Sequence, residues 1–583
     1  MAHDPSAPGD RPPSIKPMAM YLQDPTLPEL RDHYDFSLDD DFLIGTGSSR
    51  FMIRDANEND LPVFPSSDWS RQDDLSFDFF EKQGLVDNPF FHQVNTFAVV
   101  NRTLDLVEEE LGHSIVWKDG GPLVIRPHAF EGMNAYYSPS PQSLNFGYFS
   151  SPFRRTPVWT CLSHDIVSHE LGHAILDTLR PLYVYGTDID THALHESLAD
   201  LLAMFSALEH PSVVNYLYAE TGGEMRDPSL ITRLAEEFGT GIYGTGVAYL
   251  RSALEGVNYE SAPKESHSRS KTWTAAIYEI LENLVRQSHP DGFAATYEGA
   301  NTFADALVQA IRWIKGMLFR AFHYMPPSDI SMPLLARLIY EADARVFPED
   351  ERFREIAVQV FQQRGIWNYD LAIHAPDIGE TFRGLEHANA RMLARAVIQQ
   401  ADALRIPLWQ GVRLLNPRLI TTKRQIDKIQ TGQDGESSVV KEITEHYLEY
   451  TYEMLEPIGD VTTGETVMFA VHGGGTLVMD ENWKALFLVT YPESLGGDLM
   501  GQEGVMQAWQ RTRERFQEVH QDSIQRTVAA RHEERTVSDR PVIPGCPFVV
   551  QQDSAGAHRL VRRACHLQEH LKGIQFNRYG ITQ

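Results

Sequence analysis

Residues 164–177 read HDIVSHELGHAILD. Apolar residues recur there at helical spacing, through Ile166, Val167, Leu171, Ile175 and Leu176, and predict a helix from about Leu162 to Leu179 that stops before Pro181. His169 and His173 are four residues apart, so they share one helix face, one turn from each other. Two imidazoles so placed can grip a single metal ion. Glu170 follows the first histidine and falls beside the ion instead of on it. This is the HExxH pattern, in which the glutamate serves as a general base.

A metal that does chemistry needs a third protein ligand and leaves a position open to water. Glu196 supplies that ligand from a second predicted helix, about 190–208, in the run LHESLADLL at 194–202. Asp200 lies four residues later on the same face. A carboxylate there can hold the outer nitrogen of a ligand histidine and fix its tautomer. Leu194, Leu198, Ala199, Leu201 and Leu202 surround the two acids and mark this helix as buried. Buried carboxylates need a partner, and a zinc ion is one.

Composition narrows the partners. The chain has 583 residues, 42% hydrophobic and 22% charged, which suits a globular protein of several domains. A formal net charge of -29 argues against nucleic acid and against anionic membrane surfaces. Cys161, Cys546 and Cys565 are too few for a disulfide framework. No run of about 18 apolar residues predicts a membrane-spanning helix. The proline-rich opening residues lack the apolar core of a signal peptide. A cytoplasmic location follows as the expectation, with peptides as partners and the oligomeric state open.

Four stretches organise the chain. Residues 1–87 read as a flexible arm, to about 35, and a lead-in segment. Residues 88–185 hold a helix at 94–112 ending on a glycine, strand-like runs at 114–117, 122–130 and 143–149, and the HExxH helix. Helical patterns dominate 186–371. Residues 372–583 form a C-terminal region of unknown role, with a helical stretch near 384–404, a two-stranded hairpin at 464–491 and a long polar helix at 502–533. HGGG at 472–475 resembles an oxyanion motif of serine esterases, but no Gly-x-Ser-x-Gly elbow accompanies it, and a glycine-rich hairpin crossing is the reading kept.

Three separated stretches, within about residues 90–290, resemble the gluzincin metallopeptidases, and among them the thermolysin family. HELGH followed by HESLAD is similar to that family's HExxH and its downstream Glu-x-x-x-Asp signature. MNAYYSPSPQSLNFGYF at 133–149 resembles its Asn-Ala-aromatic edge strand, and SHSRSKTWTAAIY at 266–278 its histidine-bearing segment. The resemblance implies an α+β, mainly α fold. Its two-lobed core has a mixed α/β lobe and a helical lobe, and the α/β region after 372 is additional. It implies zinc held by His169, His173 and Glu196, Glu170 as general base, and Asp200 behind a ligand histidine. His267 would donate to the oxyanion, aided by Tyr185 or Tyr183. Asn134 and the Ala135 carbonyl would hold peptide along the edge strand, and Arg226 would bind a substrate carbonyl. Asp165 matches one position of a family calcium site, yet no acidic cluster after Glu196 completes it, so no calcium is expected. His195 stands where the family carries asparagine or glycine, and two roles stay open for it, altering metal orientation or acting as a pH-sensitive neighbour.

Two rival readings stay open. An aminopeptidase or another zinc hydrolase could use the same core, although the Gly-x-Met-Glu-Asn motif of one large aminopeptidase family is missing. A silent scaffold could bind peptides through the edge strand, but it would have no use for Glu170.

Overall fold

The computed structural model describes residues 15–562 apart from 38–44, 66–68, 70–76, 78, 81–83, 154–155, 235–250, 416, 433–434, 460–465, 500, 517–547 and 553–557. It is a mixed α/β protein, about 44% helical.

The half that carries HExxH is built on a small mixed sheet. Strands β3 (Phe51–Ile53), β4 (Leu123–Glu131) and β6 (Gln142–Phe149) run parallel, and β5 (Ala135–Pro139) pairs antiparallel with β6, Ala135 opposite Phe146. The order β3-β4-β6-β5 leaves β5 at an edge, and β7 (Val158–Trp159) pairs with the far end of β6. Helix α1 (Pro89–Leu111) packs beside this sheet. The Asn88 side chain accepts from the Phe90 and Phe91 amides at its start, and Gly112 closes it in the left-handed conformation.

Helix α2 (His164–Leu179) starts on Ser163, whose hydroxyl accepts from the Ile166 amide. Helix α3 (Ile189–Leu208) starts on Asp188. The two run antiparallel, so His169 meets Asp200 and His173 meets Glu196. A Cβ added at Gly172 would lie 2.9 Å from the Ala199 Cα, so only a glycine permits this crossing distance. Small hydroxyl residues tie the layer together: Thr103 of α1 lies 3.0 Å from both Ser168 of α2 and Ser206 of α3. Helices α4 (Pro211–Thr221), α5 (Ser266–Ser288), α6 (Tyr297–Tyr324), α7 (Met332–Val346) and α8 (Arg352–Gln363) complete the helical half, with a short strand pair, β8 (Arg233–Leu234) and β9 (Arg251–Ser252).

The region after 372 begins with α9 (Ala390–Gln399) and centres on a second sheet. Long strands β11 (Arg418–Gly432), β12 (Gly435–Gly459) and β13 (Thr466–Asp480) pair antiparallel in sequence, joined by β10 (Arg413–Leu414), β14 (Ala485–Tyr491), β15 (Phe548–Gln552) and β16 (His558–Arg562). The hairpin expected at 464–491 is β13 and β14. This sheet shares a core with the helical half. Tyr447, Val478, Phe487 and Val489 join the main hydrophobic cluster, and the Tyr324 ring meets Phe487 edge-on at 5.0 Å. Arg320 of α6 and Glu445 of β12, both nearly inaccessible, pair at 2.9 Å, and Arg180 pairs with Glu449 at 3.0 Å. Arg515, from the helical stretch 501–516, reaches Asp188 at 3.1 Å and Asp190 at 3.3 Å, at the start of α3.

Three expectations change. Residues 15–37 are not an arm but a hairpin of β1 (Ile15–Tyr21) and β2 (Arg31–Ser37). The apolar run Met18–Leu22 is buried, and the Tyr21 amide donates to the Asn95 side chain of α1. Residues 114–117 form no strand, because side-chain bonds fold them back: the Ile115 amide donates to Glu108 and the Trp117 indole to the Arg50 carbonyl. The helix near 384–404 is shorter, Ala390–Gln399. Of the helix expected at 502–533, residues beyond 516 lie outside the described ones. No helix among the described residues is long and apolar enough to cross a membrane.

Candidate metal centre

The α2–α3 crossing brings His169, His173 and Glu196 together. One ligand atom from each lies within 4.8 Å of the others, and all three residues are buried. Each histidine turns Nε2 toward the carboxylate: His169 Nε2 is 3.5 Å from Glu196 Oε2, and His173 Nε2 is 3.6 Å from Oε1. The outer nitrogens are already engaged. His169 Nδ1 is 2.8 Å from Asp200 Oδ1, and His173 Nδ1 is 2.7 Å from His195 Nδ1. Those partners hold the outer protons and leave the Nε2 lone pairs facing inward, as a metal requires. Burial pushes His195 down to about 4, so it is a neutral partner at ordinary pH. Burial would raise Glu196, but His267 and His173 more than offset it and hold the carboxylate well below its usual range.

Glu170 follows His169 on α2 and is also buried. His267 enters from the first turn of α5. Its Nε2 is 3.5 Å from Glu196 Oε1, as close as the two α2 histidines come. Glu265, the N-cap of α5, aims this ring: one oxygen takes His267 Nδ1 at 2.6 Å and the His267 amide at 2.9 Å, while the other takes the Ser268 amide at 2.7 Å. Burial acts to raise Glu265, and these bonds overcome it and leave the group ionised.

The remaining expected residues divide. Tyr183 is fully buried and its hydroxyl donates to the Pro326 carbonyl at 2.9 Å, whereas Tyr185 is 41% exposed. Of the two, only Tyr185 has a ring open to solvent. Ala135 begins the edge strand, and the Asn134 carbonyl accepts from the Gly147 amide while its buried side-chain Nδ2 meets no acceptor among the described residues. Arg226 is a correction. It pairs with Glu282 at 2.7 Å, fifteen residues along α5 from His267, or about 22 Å of helix, so it lies far from the centre. Asp165 accepts from the Gln23 side chain, at 2.9 Å.

Sequence reasoning passed over Glu265, and it singled out His195 but left open whether that residue affects metal orientation or acts as a pH-sensitive neighbour. Glu265 carried a signal: an acid two residues before a histidine at a helix start can cap the helix and hold the ring at once. No family model and no curated protein matches this chain.

Proposed function

We propose that the chain is a zinc-dependent peptidase that hydrolyses peptide bonds with Glu170 as general base. The observation that carries this is the convergence of two inward-facing imidazole nitrogens and one carboxylate, with the outer nitrogens already held. That donor set suits zinc with one position left for chemistry. Bound there, zinc would polarise the scissile carbonyl and bring the pKa of a water toward neutrality. Glu170 takes the proton of the attacking water and passes it to the leaving amine. His267 and Tyr185 stabilise the oxygen on which charge develops. The exposed edge of β5 receives peptide as an added strand, with the Ala135 carbonyl and the Asn134 amide as its polar anchors. We further infer the two-lobed, thermolysin-like arrangement, with the centre between the small mixed sheet and the helical half.

The 3.5 Å approach of His267 to Glu196 favours a second reading, in which His267 is a fourth metal ligand and the centre is closed. The deciding experiment is cleavage of a mixed peptide library, read by mass spectrometry, with metal content measured in the same samples. Internal cuts by the wild type and none by Glu170→Gln, at equal zinc content, support an endopeptidase. Removal of residues from the amino end alone makes it an aminopeptidase. Full zinc without cleavage by either protein would overturn the peptidase reading and leave the scaffold or the closed centre.

A further inference from the structure

A second cluster lies in the α/β half, built from residues that the proposed reaction does not use. His92 of α1, His128 of β4 and Cys161, in the turn before α2, each offer one ligand atom within 4.8 Å of the other two. All three are fully buried, and Cys161 is a reduced thiol. His92 Nδ1 and His128 Nε2 face each other at 2.8 Å. Each ring's other nitrogen is held from outside: His92 Nε2 donates to the Val86 carbonyl at 2.8 Å, and His128 Nδ1 sits 2.9 Å from Asp55 Oδ1. Asp55 is fixed in turn by the Gln93 amide at 2.7 Å. Cys161 is pinned through its carbonyl, which accepts from Asn95 at 3.0 Å and Thr96 at 3.2 Å.

The geometry points to a second metal site, distinct from the α2–α3 centre, in which His92 Nδ1, His128 Nε2 and the Cys161 thiolate bind a thiophilic ion of the zinc type. Metal-bound histidines characteristically give their outer N–H to a carbonyl or a carboxylate, and both rings here do so. One thiolate with two imidazoles is a donor set that zinc or copper(I) takes and calcium or magnesium does not. On binding, the thiol proton and the proton shared by the two rings leave. Two Zn–N bonds of about 2.0–2.1 Å at a tetrahedral angle set the nitrogens roughly 3.3 Å apart, so the rings need to part by only about half an ångström. Charge also closes: a divalent ion is balanced by the Cys161 thiolate and the Asp55 carboxylate, which a buried site requires. An open surface hollow of about 500 Å³ counts His128 among its lining, so the cluster lies one residue layer beneath the surface. Both buried rings pack against Trp159, His92 tilted at 4.8 Å and His128 edge-on at 5.2 Å, which leaves no place for substrate, so the ion acts as a staple. It would join α1, β4 and the lead-in to α2.

The test uses the full chain with the first centre removed, His169→Gln/His173→Gln. Purified after growth with zinc and dialysed, this variant should keep about one ion per chain by mass spectrometry of the metal, and adding Cys161→Ser should take it to none. Copper in place of zinc would support the site and change the ion. Loaded with cobalt(II), the double variant should show a thiolate-to-cobalt charge-transfer band, unaltered by Cys546→Ser/Cys565→Ser and absent with Cys161→Ser. A folded, metal-free double variant would overturn the site. So would a cobalt spectrum lacking the thiolate band, or a band that survives Cys161→Ser. Because the double variant keeps Cys161, its metal content and cobalt spectrum decide the matter even where Cys161→Ser fails to fold.

Discussion

His267 and Asp200 carry the sharpest tests at the scale of single residues. As an oxyanion donor, His267 is dispensable for metal binding: His267→Ala should keep the zinc content of the wild type and slow cleavage by about 10²–10³-fold. A loss of zinc instead identifies it as a ligand. Asp200→Asn removes the carboxylate at 2.8 Å from His169 Nδ1 and should weaken zinc binding by about 10–100-fold in a chelator competition. An unchanged affinity would mean that His169 is oriented by packing alone. What the sequence showed here follows a simple division. His169, His173, Glu196 and Asp200 sit at helical spacings, which a period reveals, and the structure brings them together. His195 and Glu265 work through orientation, which no spacing reports. Arg226 was placed by likeness of a short motif, and its salt bridge to Glu282 lies at the other end of α5.

Among elements, the α2–α3 crossing matters most. The register that sets Glu196 against His173 depends on the absence of a Cβ at Gly172. Gly172→Ala gains helix propensity but forces the helices apart, and overpacking of this kind costs about 1–3 kcal/mol. We expect a lower urea midpoint together with weaker zinc binding. A stability gain with unchanged zinc affinity would show that the crossing has slack. The helices themselves were legible because their apolar faces repeat at 3.6 residues and their ends carry Ser163, Pro181 and Gly112. The β1–β2 hairpin was not legible. Its prolines and acids look like a tail, and its stability comes from burial of Met18–Leu22 under α1, a contact distant in sequence.

For the whole molecule, buried histidines set the acid limit. Burial first, with neighbouring positive charge, pushes His92 and His164 down to about 3, and burial likewise takes His195 to about 4. Above pH 6.5 these rings are neutral whether the chain is folded or not, and they cost nothing. Below it the unfolded chain takes up protons that the folded chain refuses, so stability falls as pH falls and levels off only near pH 3–4. At pH 5 the loss is about 2 kcal/mol per ring, about 6 kcal/mol for three, against a usual total of about 5–15. Urea unfolding of metal-stripped protein at pH 7 and pH 5 checks this, and equal midpoints would contradict it. The second sheet should also prove inseparable. The Arg320–Glu445 pair and the Tyr324–Phe487 contact lie in a core shared with the helical half, so calorimetry should give one transition. A chain ending at 371 should bind no zinc. Two resolved transitions would mean that the halves fold alone.

The helix pair that bears the centre is gripped by segments that lie well before and well after it in sequence. Gln23 takes the first amide of α2 and bonds Asp165, while Tyr491 and Arg515 close on Asp188 at the head of α3. Synthesis therefore delivers one clasp before the helix pair and the other 303 residues or more after Asp188. A half-made chain on the ribosome has the side chains of the candidate centre but no finished grip on them. If the protein cuts peptides, its blade is finished only once the second clasp has been made, and the order of manufacture guards the neighbouring nascent chains.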